Sequence, residues 1–185
     1  MIEVPITAAI EQRASGICMS RPVYRGSKRG REGNRVGCLG EAVVLSLLDA
    51  AGIAYTHDDE TTHDIRLNSG WSIEVKTKDR TVPPKPDYDC TLPLYNHDHQ
   101  RADCFVFVSL KRSGIFSHKA FGTSYVVGAI SRERFDRIAK PWKAGDIDPL
   151  NGTKFWTDCL NVKVSDCVDL YMAVEWMDAN PKKVL

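Results

Sequence analysis

Residues 63–78 read HDIRLNSGWSIEVKTK, two runs of alternating apolar and polar residues around the turn-forming NSG. Successive side chains of a strand point to opposite faces. Ile65 and Leu67 therefore share one face, and Asp64 and Arg66 the other. In the second run Trp71, Ile73 and Val75 share a face, with Ser72, Glu74, Lys76 and Lys78 opposite. Asn68-Ser69-Gly70 suits a three-residue hairpin loop, Gly70 taking the positive φ that such loops need. That loop pairs Leu67 with Trp71 and Ile65 with Ile73, and it sets Asp64 across from Glu74 on the polar face.

Directly opposed residues have β-carbons roughly 5 Å apart, and like charges there destabilise the pair. At an effective dielectric of 20 the repulsion is on the order of 3 kcal/mol. A divalent cation between the carboxylates reverses its sign, since hard cations such as Mg²⁺ take oxygen ligands, commonly carboxylates, phosphate and water. Lys76 lies two residues beyond Glu74 on the same face, roughly 6.6 Å along the strand, where its ammonium would meet a phosphate. Two readings stand at this level: the solvated face of a surface hairpin, or a site. A one-residue slip in register would separate the acids.

The helix before this hairpin carries another acid. In VGCLGEAVVLSLLDAAG, residues 36–52, Val36, Leu39, Val43, Leu47 and Ala51 recur at helical spacing, and Gly52 suits the stop. Glu41 has Val44, Leu45 and Leu48 as its i+3, i+4 and i+7 neighbours. A carboxylate on so apolar a surface is costly unless it is paired or bound to a metal; the alternative is a first-turn acid favoured by the helix dipole. Around these elements, Ile53–Thr56, CFVFVSL (104–110) and SYVVGAIS read as strands, and Ser131 caps a helix in RERFDRIAKPW. NVKVSD and VDLYMAVEW read as two further strands, the second turning Leu170, Met172, Val174 and Trp176 inward. Strands interspersed with helices predict an α/β domain with a mixed sheet.

Charge is unevenly spread along the 185 residues. The net charge is +1, yet residues 13–35 hold Arg13, Arg21, Arg25, Lys28, Arg29, Arg31 and Arg35 against Glu32 alone, a net of 7 − 1 = +6. The stretch RPVYRGSKRGREGNRVG is glycine-rich and too short of apolar residues to pack by itself. Residues 1–35 are therefore expected to be a basic N-terminal arm suited to a polyanion, with 36–185 a single domain. No apolar run approaches the roughly 20 residues that span a bilayer, and MIEVPITAAIEQR lacks the basic start and apolar stretch of a secretory signal. The six cysteines contain no C-x-x-C pair, so reduced thiols in a cytoplasm are expected. Cys90, His97, His99 and Cys104 are zinc-ligand types, but C-x6-H-x-H-x4-C fits no zinc pattern we can justify.

The order is thus helix with Glu41, strand, strand with Asp64, strand with Glu74-Val75-Lys76, connector, strand. This resembles the PD-(D/E)xK nuclease superfamily with its restriction-endonuclease-like fold. The matching residues are the acid of GCLGEAVV, the aspartate of HDIRL and the E-V-K of SIEVKTK, over roughly residues 36–110. His63 stands where the family pattern has proline. The resemblance implies an αβββαβ core with extra C-terminal strands. It implies that Asp64, Glu74 and the Val75 carbonyl ligate Mg²⁺ or Mn²⁺, that Glu41 binds the same ion through water or holds a second ion, and that Lys76 positions or deprotonates the attacking water. The expected activity is a metal-dependent endonuclease acting on duplex or branched DNA, possible as a homodimer, in the cytoplasm of a bacterial or phage-infected cell. An exonuclease, a Holliday-junction resolvase and a non-catalytic nucleic-acid-binding module on the same fold are the alternatives. Arg21, Arg25, Lys28, Arg29, Arg31, Arg35, Lys78, His99 and Gln100 are the expected DNA contacts.

Overall fold

The computed structural model describes residues 1–22, 30–57, 62–114, 121–150 and 152–182. Its centre is a strand buried on both faces. CFVFVSL lies in β6 (Cys104–Arg112), where Cys104, Val106, Val108 and Leu110 enter one apolar core and Phe105 and Phe107 enter another. The continuous apolar run, with no polar alternation, is what such double burial demands. The first core takes in helices α1 (Ala8–Ser20), α2 (Gly30–Ala50) and α5 (Leu170–Ala179). The second takes in α4 (Arg132–Ile138) and a small sheet made of β5 (Asp89–Pro93), β9 (Cys159–Lys163) and β8 (Lys140–Trp142).

The main sheet has six strands in the order β1-β7-β6-β4-β3-β2, with β1 at Ile2–Pro5, β2 at Tyr55–His57, β3 at Ile65–Leu67, β4 at Ser72–Arg80 and β7 at Phe121–Ser131. β4 and β6 run parallel, and the other pairings are antiparallel, so the sheet is mixed as expected. The chain passes from α2 through β2, β3 and β4, then through a short helix α3 (Leu94–His99), to β6. The hairpin register is the expected one: Ile65 faces Ile73, and the Leu67 N–H donates to the Trp71 carbonyl at 2.8 Å. Gly70 sits at φ 87°, the left-handed region this loop needs.

Several expectations are corrected. The helix containing Glu41 starts at Gly30 rather than Val36, so a boundary at 35/36 falls inside α2. The described part of the expected arm is built into the domain. β1 pairs with β7, and Ile10, Ala14 and Ile17 of α1 are buried in the first core. The apolar face of α1, which precedes the basic stretch, is what anchors it. Removing residues 1–35 would therefore delete an edge strand and a core helix. The stretch VDLYMAVEW is helix α5 and not a strand. Leu170, Val174 and Met177, at i, i+4 and i+7, are buried, while Met172 and Trp176 are exposed. Asp169 caps it, accepting from the Tyr171 N–H at 3.0 Å. NVKVSD is a strand only as far as Lys163 and then a single 3-10 turn.

No described helix is long and apolar enough to cross a membrane. All six cysteines are free thiols. The four zinc-type residues do not assemble: Cys90 and Cys104 are buried in different cores, and His97 Nε2 donates to Asp136 Oδ1 at 2.7 Å.

One contact fixes how α2 lies on the sheet. A β-carbon on Gly40 would stand 1.9 Å from Thr77 Oγ1 on β4. Only glycine lets the helix approach this closely, and the next residue is Glu41. Gly40→Ala should cost about 1–3 kcal/mol through overpacking. Thr77→Ala alone should cost little, because its buried hydroxyl has no partner among the described residues. The double variant should recover part of the loss in urea unfolding.

Candidate active site

β3 covers only the first residues of β4. Its pairing stops at Ile73, and Asp64 lies just before the first paired residue. From Glu74 onward the β3-side edge of β4 is open. A strand residue directs its N–H and C=O to the same side, so Val75 presents both at this free edge. Asp64 Oδ2 accepts from the Val75 N–H at 2.8 Å. The Val75 carbonyl is thereby left facing the same space.

A cleft of about 800 Å³ opens here. The N-terminal half of α2 forms one wall, β5 and α3 the other, and β4 the floor. Glu41, Asp64, Glu74, Lys76, Lys78, His99 and Gln100 all line it. The three acids are buried, at 2% exposure for Glu41, 7% for Asp64 and 4% for Glu74. That excludes the solvated-hairpin reading of the polar face, and it excludes the first-turn reading of Glu41, which lies in the middle of α2.

Buried carboxylates require compensation, and each has it. Arg21 Nη1 donates to Glu41 Oε1 at 2.5 Å, and its Nη2 reaches Asp64 Oδ1 at 3.4 Å. His57 Nε2 lies 3.3 Å from Glu41 Oε2. Lys76 Nζ donates to Glu74 Oε1 at 2.6 Å, and Gln100 Nε2 donates to the same oxygen. Burial, then the charges of Glu41 and Glu74, push the Asp64 carboxyl well above the ordinary carboxylate range; Lys76 and the Val75 N–H oppose this. Burial works against a charged Arg21, yet Glu41 and Asp64 hold its guanidinium above the usual arginine value. Burial and then Arg80 lower the Lys78 amine.

The expected DNA contacts separate into groups. Arg21 is inside the site, bound to its acids. Lys78, His99 and Gln100 line the cleft. Arg31 and Arg35 are exposed on the first turns of α2 and line a neighbouring groove between α1 and α2. Arg25, Lys28 and Arg29 lie outside the described residues. His57 and Arg21 were not legible as partners of Glu41, from which they are 16 and 20 residues away. Arg80 and Tyr95 also line the cleft. The alternation Lys76, Lys78, Arg80 was the available signal for the first of them.

The donors suited to a hard cation are the oxygens of Glu41, Asp64 and Glu74, the Val75 carbonyl and Gln100 Oε1. Among the described residues no three His, Cys, Asp or Glu side chains converge as a preformed metal cluster. Arg21 bridges Glu41 and Asp64, and Lys76 and Gln100 hold Glu74, which places internal cations and donors on these acids. No protein-family model matches the chain, and no curated protein matches it.

Two outcomes follow from these charges. The folded pKa of Asp64 lies above its unfolded value of about 3.9, so the native state favours the protonated acid. Its ionisation costs stability progressively as pH rises from about 3.9 through the raised folded value. Asp64→Asn should therefore raise the melting temperature of the metal-free protein at neutral pH. The gain should vanish as pH falls below about 4, which thermal unfolding across pH will show. Arg21→Ala leaves Glu41 and Asp64 uncompensated. Breaking a fully buried pair costs about 3–5 kcal/mol; with the Arg21 side chain 21% exposed, about 1–3 kcal/mol is expected. The same variant should be stabilised more strongly than wild type by added Mn²⁺.

Proposed function

We propose that this protein is a metal-dependent deoxyribonuclease of the PD-(D/E)xK kind. The observation that carries the reading is that buried Glu41, Asp64 and Glu74 line one cleft together with Lys76 of β4. The succession α2, β2, β3, β4, α3, β6, with β4 parallel to β6, supports the αβββαβ core. The residues fit a divalent cation on two grounds. The donor set is entirely oxygen, as Mg²⁺ and Mn²⁺ require. Gln100 Oε1 is buried beside Glu74 with no partner among the described residues.

Asp64, Glu74, the Val75 carbonyl and Glu41 would hold Mg²⁺ or Mn²⁺. When bound, such an ion supplies Lewis acidity toward a phosphate oxygen and lowers the pKa of a water. The protein does the rest. The Val75 N–H fixes one oxygen of Asp64, and Gln100 fixes one of Glu74, so neither carboxylate turns freely. Lys76, tethered to Glu74 at 2.6 Å, orients the attacking water and offsets the negative charge on the phosphoryl oxygens. Water oxygen bonds to phosphorus and gives up a proton to solvent, the ester P–O bond breaks, and the leaving oxygen takes a proton from solvent.

The Arg21 ion pairs favour a second reading, a DNA-binding module on the same fold in which the acids serve structure alone. One assay separates the two. Wild type should cut DNA with Mg²⁺ or Mn²⁺ and not in EDTA. Asp64→Asn, Glu74→Gln and Lys76→Ala should each lower the rate at least a hundredfold, on the order of a lost electrostatic or general-base contribution, while circular dichroism stays unchanged. Undiminished cleavage in EDTA, or by any of the three variants, refutes the assignment. DNA binding without cleavage favours the second reading.

A further inference from the structure

We propose that the cleft takes a single strand of DNA, laid along β4 so that Lys78 and Arg80 hold the phosphates beyond the one at Lys76, with Tyr95 stacking a base at the rim. This rests on the nuclease reading and narrows its substrate to a strand separated from its complement, either free or as the unpaired arm of a branched molecule.

Size is the first argument. About 800 Å³ falls within the roughly 300–1,000 Å³ of sites that enclose one drug-sized ligand. Walled by α2 on one side and by β5 and α3 on the other, it matches the volume of a short piece of one strand.

Spacing is the second. Lys76, Lys78 and Arg80 alternate along β4 and all line the cleft. Alternate residues of a strand recur every 6.6 Å or so, close to the separation of consecutive phosphates along a nucleic-acid chain. The three side chains therefore leave β4 at the repeat of one nucleic-acid backbone.

Charge is the third. Lys76 is engaged by Glu74, but Lys78 makes no hydrogen bond or ion pair among the described residues. The acid nearest the far end of this row, Asp89, is taken by Lys163 at 2.6 Å. Arg80 is held in place by Ser109 Oγ at 3.1 Å and the Asp89 carbonyl at 2.8 Å, and it lies over the Tyr88 ring. Its position is fixed, and among the described residues it forms no ion pair with a carboxylate, although Asp89 acts on it through space. A cation left unneutralised in a cleft attracts an anion from solvent.

The last argument is Tyr95. It is 64% exposed yet lines the cleft. An exposed ring beside a phosphate-binding groove is how proteins hold single strands without reading sequence, each stacked base contributing substantially. A base inside a duplex is already stacked and cannot use it.

The test is fluorescence anisotropy with Ca²⁺ in place of Mg²⁺, using labelled oligo(dT), a blunt duplex of the same length and a splayed duplex with one oligo(dT) arm. Oligo(dT) and the splayed molecule should bind at least tenfold tighter than the blunt duplex. Lys78→Ala should flatten the slope of log K against log salt for oligo(dT) by about 0.7, the contribution of one phosphate on a single strand. Tyr95→Ala should weaken oligo(dT) by about fivefold or more and leave the salt slope unchanged. Equal affinity for the blunt duplex, or an unchanged slope in Lys78→Ala, overturns the proposal. The nuclease reading fails separately: strand binding with these signatures but no cleavage in Mg²⁺ keeps the strand-binding cleft and removes the enzyme. Cleavage together with equal duplex affinity does the reverse.

Discussion

The structure depends on three carboxylates placed where water barely reaches them. Glu41, Asp64 and Glu74 come from a helix, the start of one strand and the middle of another, and each is buried. Bringing like charges together in a poorly hydrated cleft costs free energy. The molecule offsets that cost with Arg21, Lys76, His57, Gln100 and one backbone N–H. Such an arrangement is a poor way to stabilise a fold, since well-packed apolar residues of similar size often do as well or better. Its persistence in the midst of two sound cores points to use rather than to architecture.

The surrounding architecture serves that placement. β3 is short, so it leaves β4 with an open edge at Glu74. Gly40 lets α2 come down onto Thr77, which brings the following residue, Glu41, over that edge. The apolar side of β4, Ile73 and Val75, belongs to the first core, so the opposite side with Glu74, Lys76, Lys78 and Arg80 turns toward the small sheet. β5 and α3 then close the second wall. One strand thus separates a hydrophobic core from a charged cleft, which is the period-2 alternation of a strand put to work.

Arg21 ties the chemistry to the chain that precedes it. It follows α1, packs against the site and supplies the cation that the metal-free acids need. A divalent ion bound by Glu41 and Asp64 would compete with it for the same oxygens. Arg21 of the basic stretch 13–35 therefore enters the charge balance of the site itself.

Local pattern was enough to read the hairpin register, the double burial of CFVFVSL, the cap at Ser131 and the acids and lysine of the site, because alternation, turn length and capping act over a few residues. It misread VDLYMAVEW, where alternate and helical spacings of apolar residues coincide, and only packing against the sheet selected Leu170, Val174 and Met177. It also took residues 1–35 as an arm, since a segment poor in apolar residues gives no sign of the partner surface that will fold it. The sequence by itself determined which acidic and basic side chains share the polar face of β4 and line the cleft. Tertiary structure alone decided what holds them: Arg21 and His57 for Glu41, and Gln100 for Glu74, are joined by contacts across 20, 16 and 26 residues. Charge compensation acts through space, and no local period encodes it.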